Sequence, residues 1–119
     1  MKKQILVVDD SDALRQSIYY ILHEHGYIVV EAQNKEEGFQ KLRSGHFDLI
    51  IADDHKPFFD SEDFARNVKE LQGLADLPVL SISYQKTPDF ESSVSVIDGC
   101  IMKPFSSDTL LHEIKRLCG

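Results

Sequence analysis

Apolar residues are distributed along this chain in two alternating textures. Short runs rich in Val and Ile occur at QILVVD (4–9), YIVVEA (27–32), FDLIIAD (47–53), LPVLSIS (77–83) and, more weakly, GCIM (99–102). Runs of this length without polar alternation predict parallel strands buried on both faces. Between them the apolar residues recur at helical spacing. Leu14, Ile18, Ile21 and Leu22 follow Ser11 and Asp12, which can cap a helix start, and Gly26 lies just past the end. Asn34 with Glu37 three residues on resembles a capping box, and Gly45 closes that second segment. A third segment opens at Ser61, has Glu62 and Asp63 where the helix dipole favours them, and carries Phe64, Val68 and Leu71 on one face. The last begins near Ser107 and sets Leu110, Leu111, Ile114 and Leu117 in one stripe. Between Tyr84 and Gly99 the helical signal is poor, since TPDFESSVSVID holds a Pro, three Ser and two Val.

Strand and helix alternate five times with short connections, which predicts an α/β fold. The expected form is a doubly wound five-stranded parallel sheet with five alternating helices, the fourth short or irregular. A length of 119 residues is that of one domain, and residues 1–119 are read as such. Thirteen Lys and Arg against twenty Asp and Glu leave a net charge of −7, which argues against nucleic acid or an anionic membrane as a partner. The longest apolar runs fall far short of the roughly 20 residues that span a bilayer. Met-Lys-Lys-Gln-Ile-Leu-Val-Val is cut off by carboxylates before a signal-peptide core could form, so a cytoplasmic protein is expected. Cys100 and Cys118 lack metal-ligand spacing and read as reduced thiols, the first a buried small residue and the second exposed. His23 and His25 lack the i,i+4 spacing of a helical ligand pair.

In a doubly wound sheet the working site lies at the carboxyl ends of the strands. The first strand ends in Asp9 and Asp10, and the third in Asp53 and Asp54. Carboxylates crowded at one sheet edge raise each other's pKa values and oppose folding unless a cation joins them. All-oxygen ligation favours Mg²⁺ or Mn²⁺ over zinc. The fourth strand ends in the hydroxyl of Ser83, and the fifth runs into Lys103, Pro104 and Phe105. A metal, a hydroxyl and a lysine around one carboxylate suit phosphoryl transfer, in which they bind the equatorial oxygens while the Asp attacks in line.

From Ile5 to about Leu117 these motifs resemble the receiver domain of response regulators, of the chemotaxis type and flavodoxin-like in fold. VVDDS followed by Arg15 is similar to the family's acidic pair and first helix. FDLIIADDHKPFFD resembles the phosphoacceptor loop, PVLSIS the switch strand, and MKPF the lysine-proline turn. The resemblance implies that Asp53 is the phosphoacceptor and that Asp9, Asp10, Asp53 and the backbone carbonyl of His55 hold Mg²⁺. It implies that Ser83 binds phosphate, that Lys103 forms the ion pair, and that the bond before Pro104 is cis. Such a domain is not an enzyme in the ordinary sense, since it catalyses only its own phosphorylation and dephosphorylation. The implied partners are a sensor histidine kinase or phosphotransfer protein and a downstream protein that the sequence does not identify.

Several positions depart from the family pattern. Cys100 replaces the aromatic ring usual three residues before the lysine, which implies an atypical switch. The stretch from Ser83 to Cys100 is slightly short. Tyr84 stands where Ala or Gly is usual and is expected to cover the phosphorylation pocket. Asp54 replaces a hydrophobic neighbour and is expected to add charge beside the site; together the two predict slow phosphotransfer. A stand-alone receiver that signals by protein contact is therefore the leading expectation. A phosphorylation-independent binding module is the alternative, favoured by Cys100, Tyr84 and the weak fourth helix. A metal-dependent phosphohydrolase would need a carboxylate two residues after the nucleophile, where this chain has His55. A nucleotide site lacks a glycine-rich loop after the first strand.

Overall fold

A computed structural model describes residues 2–55, 59–84 and 96–119. Its strands are β1 (Gln4–Val8), β2 (Ile28–Ala32), β3 (Leu49–Asp53), β4 (Val79–Ser83) and β5 (Gly99–Met102). The helices among the described residues are α1 (Asp12–Glu24), α2 (Lys35–Ser44), α3 (Ser61–Lys69) and α4 (Ser107–Cys118). All pairings are parallel and the sheet order is β2-β1-β3-β4-β5. The expected doubly wound five-stranded sheet is therefore present, and the C-terminal helix is the one labelled α4. The weak helix expected between Tyr84 and Gly99 falls on residues 85–95, and Lys56 and Phe58 of the acceptor loop fall on 56–58; both lie outside the described residues.

The strand runs lack alternation because both faces of the sheet are covered. Ile5 and Val7 face one cluster with Ile18, Leu22, Leu80, Leu110 and Ile114, built by α1 and α4. Leu6 and Val8 face the other with Ile50, Phe64, Val68 and Val79, built by α2 and α3. The two edge strands differ from the prediction of burial on both faces. Ile28 of β2 is 44% exposed and Met102 of β5 is 52% exposed, since an edge strand has a neighbour on one side only.

Each helix starts where a side chain can satisfy its free N–H groups. Ser11 accepts from Leu14 N–H (3.2 Å), Asn34 from Glu37 N–H (2.8 Å) and Ser106 from Thr109 N–H (3.1 Å). Asp60 accepts from Glu62 and Asp63 N–H at 3.0 and 3.2 Å. Helix α1 is followed by Gly26 at φ 86°, a left-handed conformation that costs glycine nothing. At Gly38 of α2 a Cβ would lie 3.3 Å from both Phe64 and Val8, so the missing side chain lets this helix sit close to the sheet. Among the described residues no helix is long and apolar enough to cross a membrane.

Phe64 is 1% exposed and packs in tilted geometry against Phe39 and Phe59 at ring separations of 5.0 and 5.4 Å. Truncation leaves a cavity that a close-packed interior fills only in part. Phe64→Ala is predicted to lower unfolding free energy by about 3–5 kcal/mol, read as a reduced denaturation midpoint at unchanged denaturant slope.

Candidate functional site

The strand order reverses at β1. The chain steps outward to β2 and then crosses back to β3, which opens a crevice at the carboxyl ends of β1 and β3. Val8 pairs with Ala52 in register, so the next residues, Asp9 and Asp53, end neighbouring strands. Asp9 is 4% exposed and Asp53 6% exposed. Asp10, one residue further, is turned out to solvent.

Asp9 is held from two sides. Its Oδ1 accepts from Ser11 N–H at 2.9 Å, and its backbone carbonyl accepts from the Arg15 guanidinium at 2.6 Å. Arg15 is itself buried between Asp12, with which it is hydrogen-bonded, and Glu31 of β2, whose Oε1 accepts from Nε at 3.1 Å. The second oxygen of Asp9, Oδ2, is buried without a hydrogen-bond partner among the described residues. Burial pushes the Asp9 carboxyl up to about 7; the Ser11 N–H opposes this, and the neighbouring Asp53 adds to it.

Lys103 follows β5, and its Nζ reaches across the end of β4 to pair with Asp53 Oδ1. Its backbone N–H donates to the Ser83 carbonyl at 2.8 Å, and the Lys103–Pro104 bond is cis. Ser83 is buried at the end of β4. The structure thus brings Asp9, Asp10, Asp53, Ser83 and Lys103 to one edge of the sheet.

His55 sits beyond β3, locked to Phe59 by reciprocal backbone hydrogen bonds of 2.8 Å. Its carbonyl accepts from Phe59 N–H and keeps a second lone pair. Its imidazole turns toward the cleft, where one ligand atom each from Asp10, Asp53 and His55 lie within 4.8 Å of one another. Sequence reasoning considered only the carbonyl of this residue, because the direction of a loop imidazole has no periodic signal. A buried carboxylate oxygen without a partner, beside a second carboxylate and an exposed third, is a donor set that fits a small divalent cation.

Four other residues lie differently from the sequence expectation. Asp54 does not aim its carboxylate at the acceptor. Its Oδ1 accepts from Ser61 N–H (2.9 Å) and Ser61 Oγ (3.1 Å), which satisfies the first N–H of α3, and Ser61 Oγ is 2.8 Å from Ser81 Oγ. The helix N-terminus attracts that carboxylate more than the crowded acid cleft can. Tyr84 does not seal the cleft. Its ring is 72% exposed and lies over Lys103 Nζ at 4.9 Å, forming one wall of an open cleft of about 460 Å³ that also borders Asp10, Leu14, Asp53 and His55. Cys100 is half-buried rather than buried, paired in register with Ser81, and borders a shallow depression with Asp108, Thr109 and His112. Cys118, expected to be exposed, is half-buried against the core face of α4, and burial raises its thiol pKa.

With this geometry in place, the likenesses to known proteins are specific. The sequence profile of the response regulator receiver domain matches residues 5–115. The chain is 29% identical over 117 residues to the chemotaxis protein CheY of Pseudomonas aeruginosa, covering 96% of this chain and 94% of that protein. It is 27% identical to CheY of Bacillus subtilis, covering 98% of each. Its fold superposes on chemotaxis protein CheY4 of Vibrio cholerae with a TM-score of 0.88 at 27% identity, covering 98% of this chain and 99% of that one. It matches the response regulator TrrA of Thermotoga maritima, crystallised in complex with Mg²⁺-BeF, with a TM-score of 0.81 at 30% identity over 98% and 99% of the two chains.

The raised Asp9 pKa has a definite thermodynamic sign. Between the ordinary value of 3.8 and about 7 the folded chain keeps a proton that the unfolded chain has lost, so stability falls as pH rises through that window. Without divalent cations, denaturation midpoints are predicted to drop from pH 4 to pH 7 and to level off above. Asp9→Asn is predicted to flatten the profile and to stabilise the metal-free protein above pH 7 by on the order of a few kcal/mol.

Proposed function

Because the chain belongs to the response regulator receiver family, we propose that Asp53 is its phosphoacceptor and that it signals in a two-component phosphorelay. The observation that carries this reading is the ion pair of buried Asp53 with Lys103 beside the unpartnered oxygen of Asp9. Members of the family are signalling domains rather than classical enzymes. The proposed chemistry is confined to the domain's own carboxylate. An Asp53 oxygen attacks phosphorus, the bond to the donor's imidazole nitrogen or acyl oxygen breaks, and the leaving group keeps the electron pair. The aspartyl phosphate is later hydrolysed by water, which regenerates Asp53.

Asp9, Asp10, Asp53 and the second lone pair of the His55 carbonyl would hold Mg²⁺, or Mn²⁺. The ion would supply positive charge against the phosphoryl oxygens. Lys103 holds Asp53 in place before reaction and is positioned to bind a phosphoryl oxygen after it. Ser83, on the strand between the two, would donate its hydroxyl to another. The phosphodonor is a histidine kinase or a phosphotransfer protein, and the output is contact with a further protein. We read residues 1–119 as one receiver domain that acts in the cytoplasm.

A second reading, a binding module that does not depend on phosphorylation, is favoured by Cys100. A half-buried thiol beside His112 provides no ring to fill space vacated by a moving Ser83. The phosphohydrolase reading has His55 in place of the needed carboxylate and no observation in its favour.

Intact-mass analysis after incubation with Mg²⁺ and a small acyl phosphate tests the proposal. One phosphoryl adduct is predicted, lost when Mg²⁺ is chelated and absent from Asp53→Asn; no adduct in a protein that binds Mg²⁺ would favour the binding module. Tyr84→Ala is predicted to label faster by roughly two- to fivefold, since removing a cation–π contact of about 0.5–1 kcal/mol frees Lys103 and opens the cleft wall. Equal labelling rates would remove Tyr84 from access control.

A further inference from the structure

The position of His55 contains more than its carbonyl. Its backbone is fixed on both sides by the Phe59 hydrogen bonds, which determines where its side chain can reach. Nδ1 lies 4.0 Å from Asp10 Oδ2, and the two side chains are 55% and 62% exposed, so an ion from solvent can reach both. Asp53 is the fixed member, 6% exposed and paired with Lys103. Donors at about 2.1 Å from a common ion lie roughly 3–3.4 Å apart. The observed separations, up to 4.8 Å, lie within about 2 Å of that value. Asp9 borders an adjoining pocket that shares Asp10 and Asp53 with this cleft, and has a buried oxygen that nothing among the described residues satisfies, an independent sign of a cation site.

We infer that the imidazole Nδ1 of His55 is itself a metal ligand, making the cleft a mixed nitrogen and oxygen site that prefers Co²⁺, Ni²⁺ and Zn²⁺ to Mg²⁺. The inference rests on the reading of the acid cleft as a cation site and deepens it. Mg²⁺ demands oxygen donors and keeps several of its waters, so an imidazole adds little to its binding. Later first-row ions are borderline-soft, bind imidazole well and climb in affinity from Mn²⁺ to Cu²⁺. An all-oxygen cleft would draw its selectivity from carboxylates alone. Here the residue two places after the acceptor adds a donor that discriminates by ion type. Zn²⁺ at low concentration then competes with Mg²⁺ for the carboxylates that surround Asp53.

The test is direct calorimetric titration of the full chain with MgCl₂ and with CoCl₂, near neutral pH, for wild type and His55→Gln. Because His55 is exposed, the variant is expected to match the metal-free wild type in denaturation midpoint. The predicted result is a Co²⁺ affinity lowered at least about 10-fold, the loss that removal of even an outer-shell partner produces, with Mg²⁺ affinity changed less than about twofold. Co²⁺-shifted imidazole resonances in the wild-type proton NMR spectrum that vanish in His55→Gln would support the same assignment without relying on affinity. Unchanged Co²⁺ affinity in the variant overturns the inference. So does a loss of equal size for both ions, which would mean that the substitution disturbs the carbonyl rather than removing a ligand. Failure of Asp53 to take up a phosphoryl group while Co²⁺ still binds through His55 would overturn the proposed function and leave this inference standing.

Discussion

Repulsion between carboxylates on neighbouring strand ends governs the arrangement of everything at this edge of the sheet. Asp9 and Asp53 are carried side by side by the in-register pairing of β1 with β3, and both are buried. Water cannot screen them there, so the chain answers with other means. Lys103 comes from two strands away, over the end of β4, to pair with Asp53. Arg15 takes the carbonyl of Asp9 but leaves its carboxylate alone, and Ser11 N–H satisfies one oxygen only. What is left is an acid that keeps its proton to about pH 7, a local cost that a bound cation would relieve.

The surrounding charges are drawn off by the helices. Asp54, next to the acceptor, binds the first N–H of α3, and Asp60 satisfies the next two. Asp12 and Glu31 engage Arg15. In a chain of net charge −7 these attachments keep the acidic edge from becoming a single uncompensated cluster. They also leave Asp10, half in water, as the carboxylate able to move toward an incoming ion.

The fold was readable in the sequence wherever it depends on local spacing. The five Val- and Ile-rich runs became the five strands, and Ser11 and Asn34 are caps as the pattern suggests. The residues of the acid cleft were readable because strand ends in a doubly wound sheet meet by topology, whatever their side chains do. What could not be read depends on partners distant in sequence. The exposure of Ile28 and Met102 follows from strand order, and the half-burial of Cys118 from where α4 packs. The turn of Asp54 toward Ser61 is a competition between two local fields that composition cannot rank. The inward turn of the His55 imidazole sits on a backbone bridged to Phe59, a contact that neither helical nor strand periodicity encodes.

The same bridge has a bearing on how this segment tolerates changes in chain length. Residues 55 and 59 are tied by two backbone hydrogen bonds, and Asp54 is tied to Ser61, so the stretch after the acceptor is closed twice over. A residue added between Phe59 and Ser61 would shift the two closures against each other, and with them the first N–H contact of α3. The turn between Leu71 and Leu77 contains Gly73 at φ 81° and faces outward at Gln72, Gly73, Ala75 and Asp76. Lengthening it costs little more than the entropy of a longer loop, which grows only with the logarithm of its length. The ties on opposite ends of α3 are thus unlike, with closures at Asp54 and Phe59 on the side of Asp53 and an open, outward-facing turn on the other.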